Sequence, residues 1–124
     1  MLGLGWYGLE TIEGAACRWC GQYGIAFLRT PLQTDEIDVI IKIRAVRHTQ
    51  VIVRVNGEER GRVELDATGW RDVSVRAPRA SHVTRLDLFP SPTFRPSDDN
   101  RDTRDRRLLG VAVAKIAVES CQPC

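Results

Sequence analysis

The stretch Ile37-Asp38-Val39-Ile40-Ile41-Lys42-Ile43-Arg44-Ala45 repeats every second residue. Ile37, Val39, Ile41, Ile43 and Ala45 share one parity; Asp38, Lys42 and Arg44, with Ile40, share the other. Successive side chains of a strand point to opposite faces, so the pattern predicts a strand with an apolar inner face and a mostly polar outer one. Val51, Val53 and Val55 continue the pattern, followed by Asn56-Gly57 and a returning run from Arg62 to Leu65. Asn-Gly between two alternating runs predicts a tight hairpin, because a type I′ turn needs positive φ at both central residues.

Working outward, Trp70, Asp72 and Ser74 alternate with Val73 and Val75 up to Ala77-Pro78, and Leu86 and Leu88 mark a strand that Pro90 is expected to end. Near the C-terminus, Val111 and Val113 share one parity while Ile116 and Val118 share the other. A β-bulge near Ala114-Lys115 would return both pairs to one face. Trp6 to Leu9, Ala15 to Cys20 and Ile25 to Leu28 read as short strands. No segment holds a 3.6-residue period beyond two turns. About nine short strands separated by Gly, Pro and Asx turns predict an all-β fold, an antiparallel β-sandwich of jelly-roll type.

The 124 residues fit one domain, 1–124, long enough to bury a single core. A 43% hydrophobic and 27% charged composition is that of a globular domain rather than a disordered tail. No apolar run approaches the ~20 residues that span a bilayer, so membrane insertion is not expected. The opening residues carry Glu10 and Glu13 and no basic leader region, which sets the expectation of a cytoplasmic protein. A net charge of +2 gives no case for nucleic acid. One segment, 90–107, is a long irregular loop before the last strand, with Pro90, Pro92 and Pro96 followed by Asp, Asn and Arg. Asp98, Asp99, Asp102 and Asp105 could suggest calcium, but Arg101, Arg104, Arg106 and Arg107 interleave with them and favour a solvated, ion-paired loop.

An ordered series of short motifs runs through the chain: Gly5-Trp6-Tyr7 with Glu10, Arg18-Trp19, Val55-Asn56-Gly57, Trp70, Phe94 with Pro96, and Asp105, Arg107, Leu109, Gly110 and Val111. The series resembles the small β-sandwich domains, similar to carbohydrate-binding modules, that are appended to bacterial glycosyltransferases and polysaccharide enzymes. The resemblance covers Gly5 to Glu119 and implies a jelly-roll fold, an accessory non-catalytic role, and carbohydrate or a glycosyltransferase-type domain as partner. It transfers no binding site residue by residue. The sequence departs from that pattern at Cys17 and Cys20, where a small polar residue is usual.

All four cysteines form two CxxC pairs, Cys17/Cys20 and Cys121/Cys124, the latter in a tail, 120–124. Two such pairs can present four thiolates tetrahedrally to a structural zinc, which would clip the chain ends together. Disulfides would clip the same ends, stabilising by about 4 kcal/mol in the entropic account; free thiols are a third reading and a redox pair a fourth. Against the metal, Cys17 and Cys20 point to opposite faces of a straight strand.

Catalysis finds little support. His48 and His82 are the only histidines, and no nucleophile elbow, zinc-protease helix or phosphate-cradling glycine loop occurs. Sugar binding needs exposed aromatic faces with a few polar groups, for which Trp6, Tyr7, Tyr23 and Phe94 are the candidates. Adjacent on the chain, Trp6 and Tyr7 should face opposite ways, leaving Tyr7 as the better exposed ring. Trp19 and Trp70 are expected in the core. Arg107 after Asp105 reads as an ion pair anchoring the long loop. The function expected is a non-catalytic carbohydrate-binding-like accessory domain; the alternative is a protein-interaction scaffold whose cysteines are disulfide-bonded or free.

Overall fold

The computed structural model describes residues 2–31, 34–99 and 104–120. In chain order they form β1 (Glu10–Ile12), β2 (Ala15–Cys20), β3 (Gly24–Arg29), β4 (Glu36–Arg44), β5 (Thr49–Val55), β6 (Glu58–Leu65), β7 (Arg71–Pro78), β8 (Val83–Ser91), a single helical turn α1 (Pro96–Asp99) and β9 (Val111–Ser120). Two antiparallel sheets stack face to face, one in the order β1-β2-β9-β4-β7 and the other β3-β8-β5-β6. No helix among the described residues is long and apolar enough to cross a membrane.

The predicted alternation sets the core. Ile37, Val39, Ile41 and Ile43 of β4 are buried between the sheets with Val51, Val53 and Val55 of β5, Val73 and Val75 of β7, and Leu86 and Leu88 of β8. Each such side chain removed from water contributes about 1.5–3 kcal/mol. At Asn56-Gly57 the chain turns with φ of 52° and 88°, pairing Val55 with Glu58 as the hairpin signal required. In β9 the register against β4 steps from Lys42↔Lys115 to Ile43↔Val113, so Ala114 is the extra residue of a bulge. Val111, Val113, Ile116 and Val118 all face the main core as a result.

Two strand expectations are corrected. Trp6 to Leu9 is not a strand; Trp6 makes one isolated bridge to Cys20, and pairing resumes only at Glu10–Ile12. Nor does Pro90 end its strand, since β8 runs on to Ser91. Its neighbour β3 has already stopped opposite Leu88, so no strand on that side calls for the missing N–H.

β2 changes partner along its length, pairing through 15–17 with β1 and through 18–20 with β9. The β1–β2 hairpin, turning at Glu13 and Gly14 with positive φ, curls across the outer face of the five-stranded sheet. There Glu13 is ion-paired with Arg44, and Trp70 Nε1–H donates to the Ile12 carbonyl at 3.2 Å, although β1 and β7 stand at opposite ends of the strand order. This closes a second, smaller apolar cluster of Cys17, Trp19, Leu109 and Ala112, against which Trp70 and Phe94 are half-buried. The long loop after β8 is pinched at its neck, where Phe94 and Leu109 exchange backbone hydrogen bonds of 2.8 and 2.7 Å.

Two measurements test this packing. Deleting Ala114 removes the extra residue and leaves Val111, Val113, Ile116 and Val118 on one parity and in register with β4, so the variant should stay folded and lose no more Tm than a modest core change such as Ile41→Val, which costs about 1 kcal/mol. His48 donates to Glu64 at 2.7 Å and Asp66 at 2.9 Å, and these carboxylates, Asp66 foremost, raise its pKa. A raised folded-state pKa makes the contribution complete below the ordinary value of about 6.5 and lost as pH climbs through the raised one. The Tm advantage of wild type over His48→Gln should therefore be largest in mild acid and vanish in mild alkali.

Candidate functional site

Three of the four aromatic candidates converge at one tip of the sandwich. The segment Gly5-Trp6-Tyr7, the β2–β3 connection Gly21-Gln22-Tyr23 and Leu108 line a cleft of about 290 Å³. The two segments meet because glycines let their backbones touch. At Gly5 φ is +97°, and a Cβ there would lie 2.1 Å from the Tyr23 carbonyl oxygen. At Gly24 a Cβ would lie 2.8 Å from the Trp6 indole and 2.9 Å from the Cys20 Cβ. Neither position accepts a side chain without moving the cleft wall.

Trp6 and Tyr7 do face opposite ways. Trp6 packs on the main core and its Nε1–H donates to the Ile25 carbonyl at 2.8 Å. Tyr7 packs on the outer cluster, its hydroxyl donates to the Leu108 carbonyl at 3.1 Å, and the Arg107 guanidinium lies 5.4 Å above its ring. Tyr7 is thus half-buried and capped, and the open ring is Tyr23, 41% exposed. Phe94 lies apart from this cleft, edge-on to Trp19 at 6.2 Å with the Arg47 guanidinium 4.5 Å from its ring. Trp19 is buried as expected, whereas Trp70, just ahead of β7, is only half-covered.

Arg107 holds the wall behind Tyr7. It grips Asp105 with two hydrogen bonds, 2.9 and 2.7 Å, and reaches Glu10 on β1 at 2.7 Å. The guanidinium holds the Asp105 carboxyl below its usual range, and the two carboxylates raise Arg107 further. Arg18 adds a hydrogen bond to the Tyr7 carbonyl at 3.1 Å. Sequence reasoning did not find Gln22, Leu108 and the glycine backbones of this cleft. The only signal was Gly21 and Gly24 bracketing Gln22-Tyr23, which marks a turn and no more.

The metal expectation meets a geometric obstacle. Cys17 belongs to the outer cluster and Cys20 to the main core, so their sulfurs leave β2 on opposite faces and do not fit a common ion. Burial pushes the Cys20 thiol up to about 12, and burial, followed by the Glu10 charge, raises Cys17, both disfavouring the thiolate a metal requires. Cys121 and Cys124 lie outside the described residues, as do Asp102 and Arg101 of the loop. Among the described residues no three His, Cys, Asp or Glu side chains gather to hold a metal. A thiol reagent should label Cys17 and Cys20 slowly in the native protein and fast in denaturant, with the native rate unchanged by a chelator. Rapid labelling of these two on chelation alone would restore the clip.

No family model matches the sequence, and no curated protein does. The fold, however, recurs among solved structures. A family 35 carbohydrate-binding module from Clostridium thermocellum superposes with TM-score 0.61 at 14% identity, over 92% of this chain and 88% of that one. The module CsCBM6-3 from Clostridium stercorarium, solved in complex with cellobiose, gives 0.52 at 15% identity, over 96% and 85%. The C-terminal domain of the sugar-binding protein EclA gives 0.52 at 14% identity over 77% of this chain, which spans only 64% of that one. At these identities the likeness establishes the architecture: an antiparallel β-sandwich of the kind found in carbohydrate-binding modules.

Proposed function

We propose that this domain binds carbohydrate without transforming it, and that the tip cleft is where it does so. The observation that carries the reading is the convergence of Trp6, Tyr7 and Tyr23 on one cleft from segments distant in sequence. A pyranose presents an apolar C–H face and a rim of hydroxyls. The exposed Tyr23 ring offers the first a stacking surface, while the Gln22 side chain and the backbone of Gly5, Gly21 and Leu108 offer the second donors and acceptors. About 290 Å³ sits at the small end of ligand sites, suited to the end of a glycan chain rather than to a long run of it. Trp6 and Tyr7 form the fixed wall, since both polar tips are already spent on backbone carbonyls. Two neighbours in fold that are named as carbohydrate-binding modules support the same reading. An accessory role follows with it: a domain of this kind keeps a polysaccharide-acting partner at its polymer.

Affinity electrophoresis through a panel of polysaccharides, backed by a glycan array, tests the proposal. Wild type should be retarded by at least one polymer, and Tyr23→Ala should weaken that retention about tenfold, the worth of one stacked ring. Because Tyr23 is 41% exposed and belongs to neither apolar cluster, the Tm of this variant should change little. No retention on any glycan, or full retention by Tyr23→Ala, would favour the scaffold reading or another face.

A further inference from the structure

β9 is an interior strand at its start and an edge for the rest of its length. At Ala112 and Val113 it pairs with both β2 and β4, but from Lys115 to Ser120 it pairs with β4 alone, because β2 has left to join β1. A long edge presents unpaired N–H and C=O groups, and the other long edges of this fold are blunted. β6 carries Glu58, Glu59, Arg60, Arg62 and Glu64 along its length. β7 carries Arg71, Asp72 and Arg76 and ends in Pro78. β3 is covered by the chain's own start, where Gly3 N–H donates to Ile25 at 2.7 Å and Ile25 N–H to Leu4 at 3.0 Å.

The free half of β9 reads Lys115-Ile116-Ala117-Val118-Glu119. Within the chain its charges are badly matched. The register across β4 sets Lys115 opposite Lys42 and Glu119 opposite Asp38, like against like. Both are exposed, and neither forms an ion pair among the described residues. Like charges directly opposite are destabilising; Asp72 and Arg76 of β7 answer the β4 members of these pairs from the other side, and Lys115 and Glu119 are left at the open edge.

We propose that this edge pairs with the same edge of a second copy, antiparallel about a twofold axis at Ala117. That register places Lys115 of each chain opposite Glu119 of the other, and Ile116 opposite Val118, so all four outer charges are answered and both apolar pairs meet on the core side. Self-complementarity of one patch is what a twofold interface demands. The two five-stranded sheets become one continuous sheet. The partly exposed Leu2 and Leu9, which line with Ile116 the opening left by the departing β2, lie beside the seam. A contact of one short strand per copy belongs with the small, weak interfaces, so the dimer depends on concentration.

Sedimentation velocity over a wide concentration range, with wild type and charge-reversed chains, tests this. Wild type should associate to a dimer. Lys115→Glu and Glu119→Lys, each alone, should weaken it by about tenfold or more, since each puts like charges at both crossings. An equimolar mixture of the two single variants should dimerise again, and so should the double variant Lys115→Glu/Glu119→Lys. Both sites are on the surface and each reversal removes a like-charge pair across β4, so a Tm unchanged or slightly raised for each variant establishes that the fold is intact. A wild type that stays monomeric throughout, or a dimer indifferent to both reversals, overturns the proposal; the latter would mean that another surface joins the copies.

Discussion

The ladder that holds β9 between β2 and β4 is the constraint from which the rest of the molecule follows. Ala112 and Val113 find partners on both sides, so β2, β4 and β9, far apart in the sequence, share one sheet. That short shared segment brings the start of β9 beneath the β2–β3 connection, where Gly110 N–H donates to the Cys20 carbonyl at 2.7 Å. Leu108 is thereby carried to the tip, beside Tyr7 and Gln22. The bulge at Ala114 then lets one strand serve the core with two valines before it and Ile116 and Val118 after it. Long-range pairing of this kind is slow to form and cooperative once formed, because closing the loop precedes the reward.

Much of this was written in local pattern. The parity of β4, the Asn56-Gly57 turn and the phase break in β9 each follow from where a side chain must point, and each appears in the structure as read. β2 has the bounds that its residues suggested, Ala15 to Cys20. What escaped depends on contacts between segments far apart. The curl of the β1–β2 hairpin rests on Glu13 meeting Arg44 and Ile12 meeting Trp70, which no periodicity encodes. The cleft was half legible: aromatic residue types named Trp6, Tyr7 and Tyr23, but only the close approach of Gly5 to Tyr23 joins them. Phe94 was chosen by the same chemistry and went elsewhere, because its backbone is tied to Leu109 over the outer cluster. For the cysteines, motif spacing and strand parity conflicted, and in β2 the parity decided where the sulfurs point.

Charge in this molecule works mostly as scaffolding. Arg107 joins β1, the loop before β9 and the Tyr7 ring, taking its place among two carboxylates and one aromatic face. Lys42 lies 5.9 Å from the Trp70 ring, and Arg54 5.2 Å from that of Phe89, so cations also cover aromatic surface on both sheets. An arginine fork suits such sites because it stays charged and keeps several donors in one plane while its face stacks. Lys42 and Lys115 are the only lysines among the 18 basic residues, and the remaining 16 are arginines, a choice that serves geometry as well as charge.

The pinched neck at Phe94 and Leu109 has a consequence for how the chain can vary. Two reciprocal backbone hydrogen bonds fix both exits of the loop, and Arg107 braces one of them against Asp105. Beyond the neck, Arg107 and Leu108 are still bound to Glu10 and Tyr7, but ahead of Asp105 lengthening a loop whose ends are already tied adds little to its closure entropy. Insertions or deletions ahead of Asp105 would leave strand registers untouched, whereas replacing Asp105, Arg107 or Leu108 would move the cleft wall. The fold therefore sets aside one compartment beside the Trp19 cluster where sequence can drift or be recruited at small thermodynamic risk.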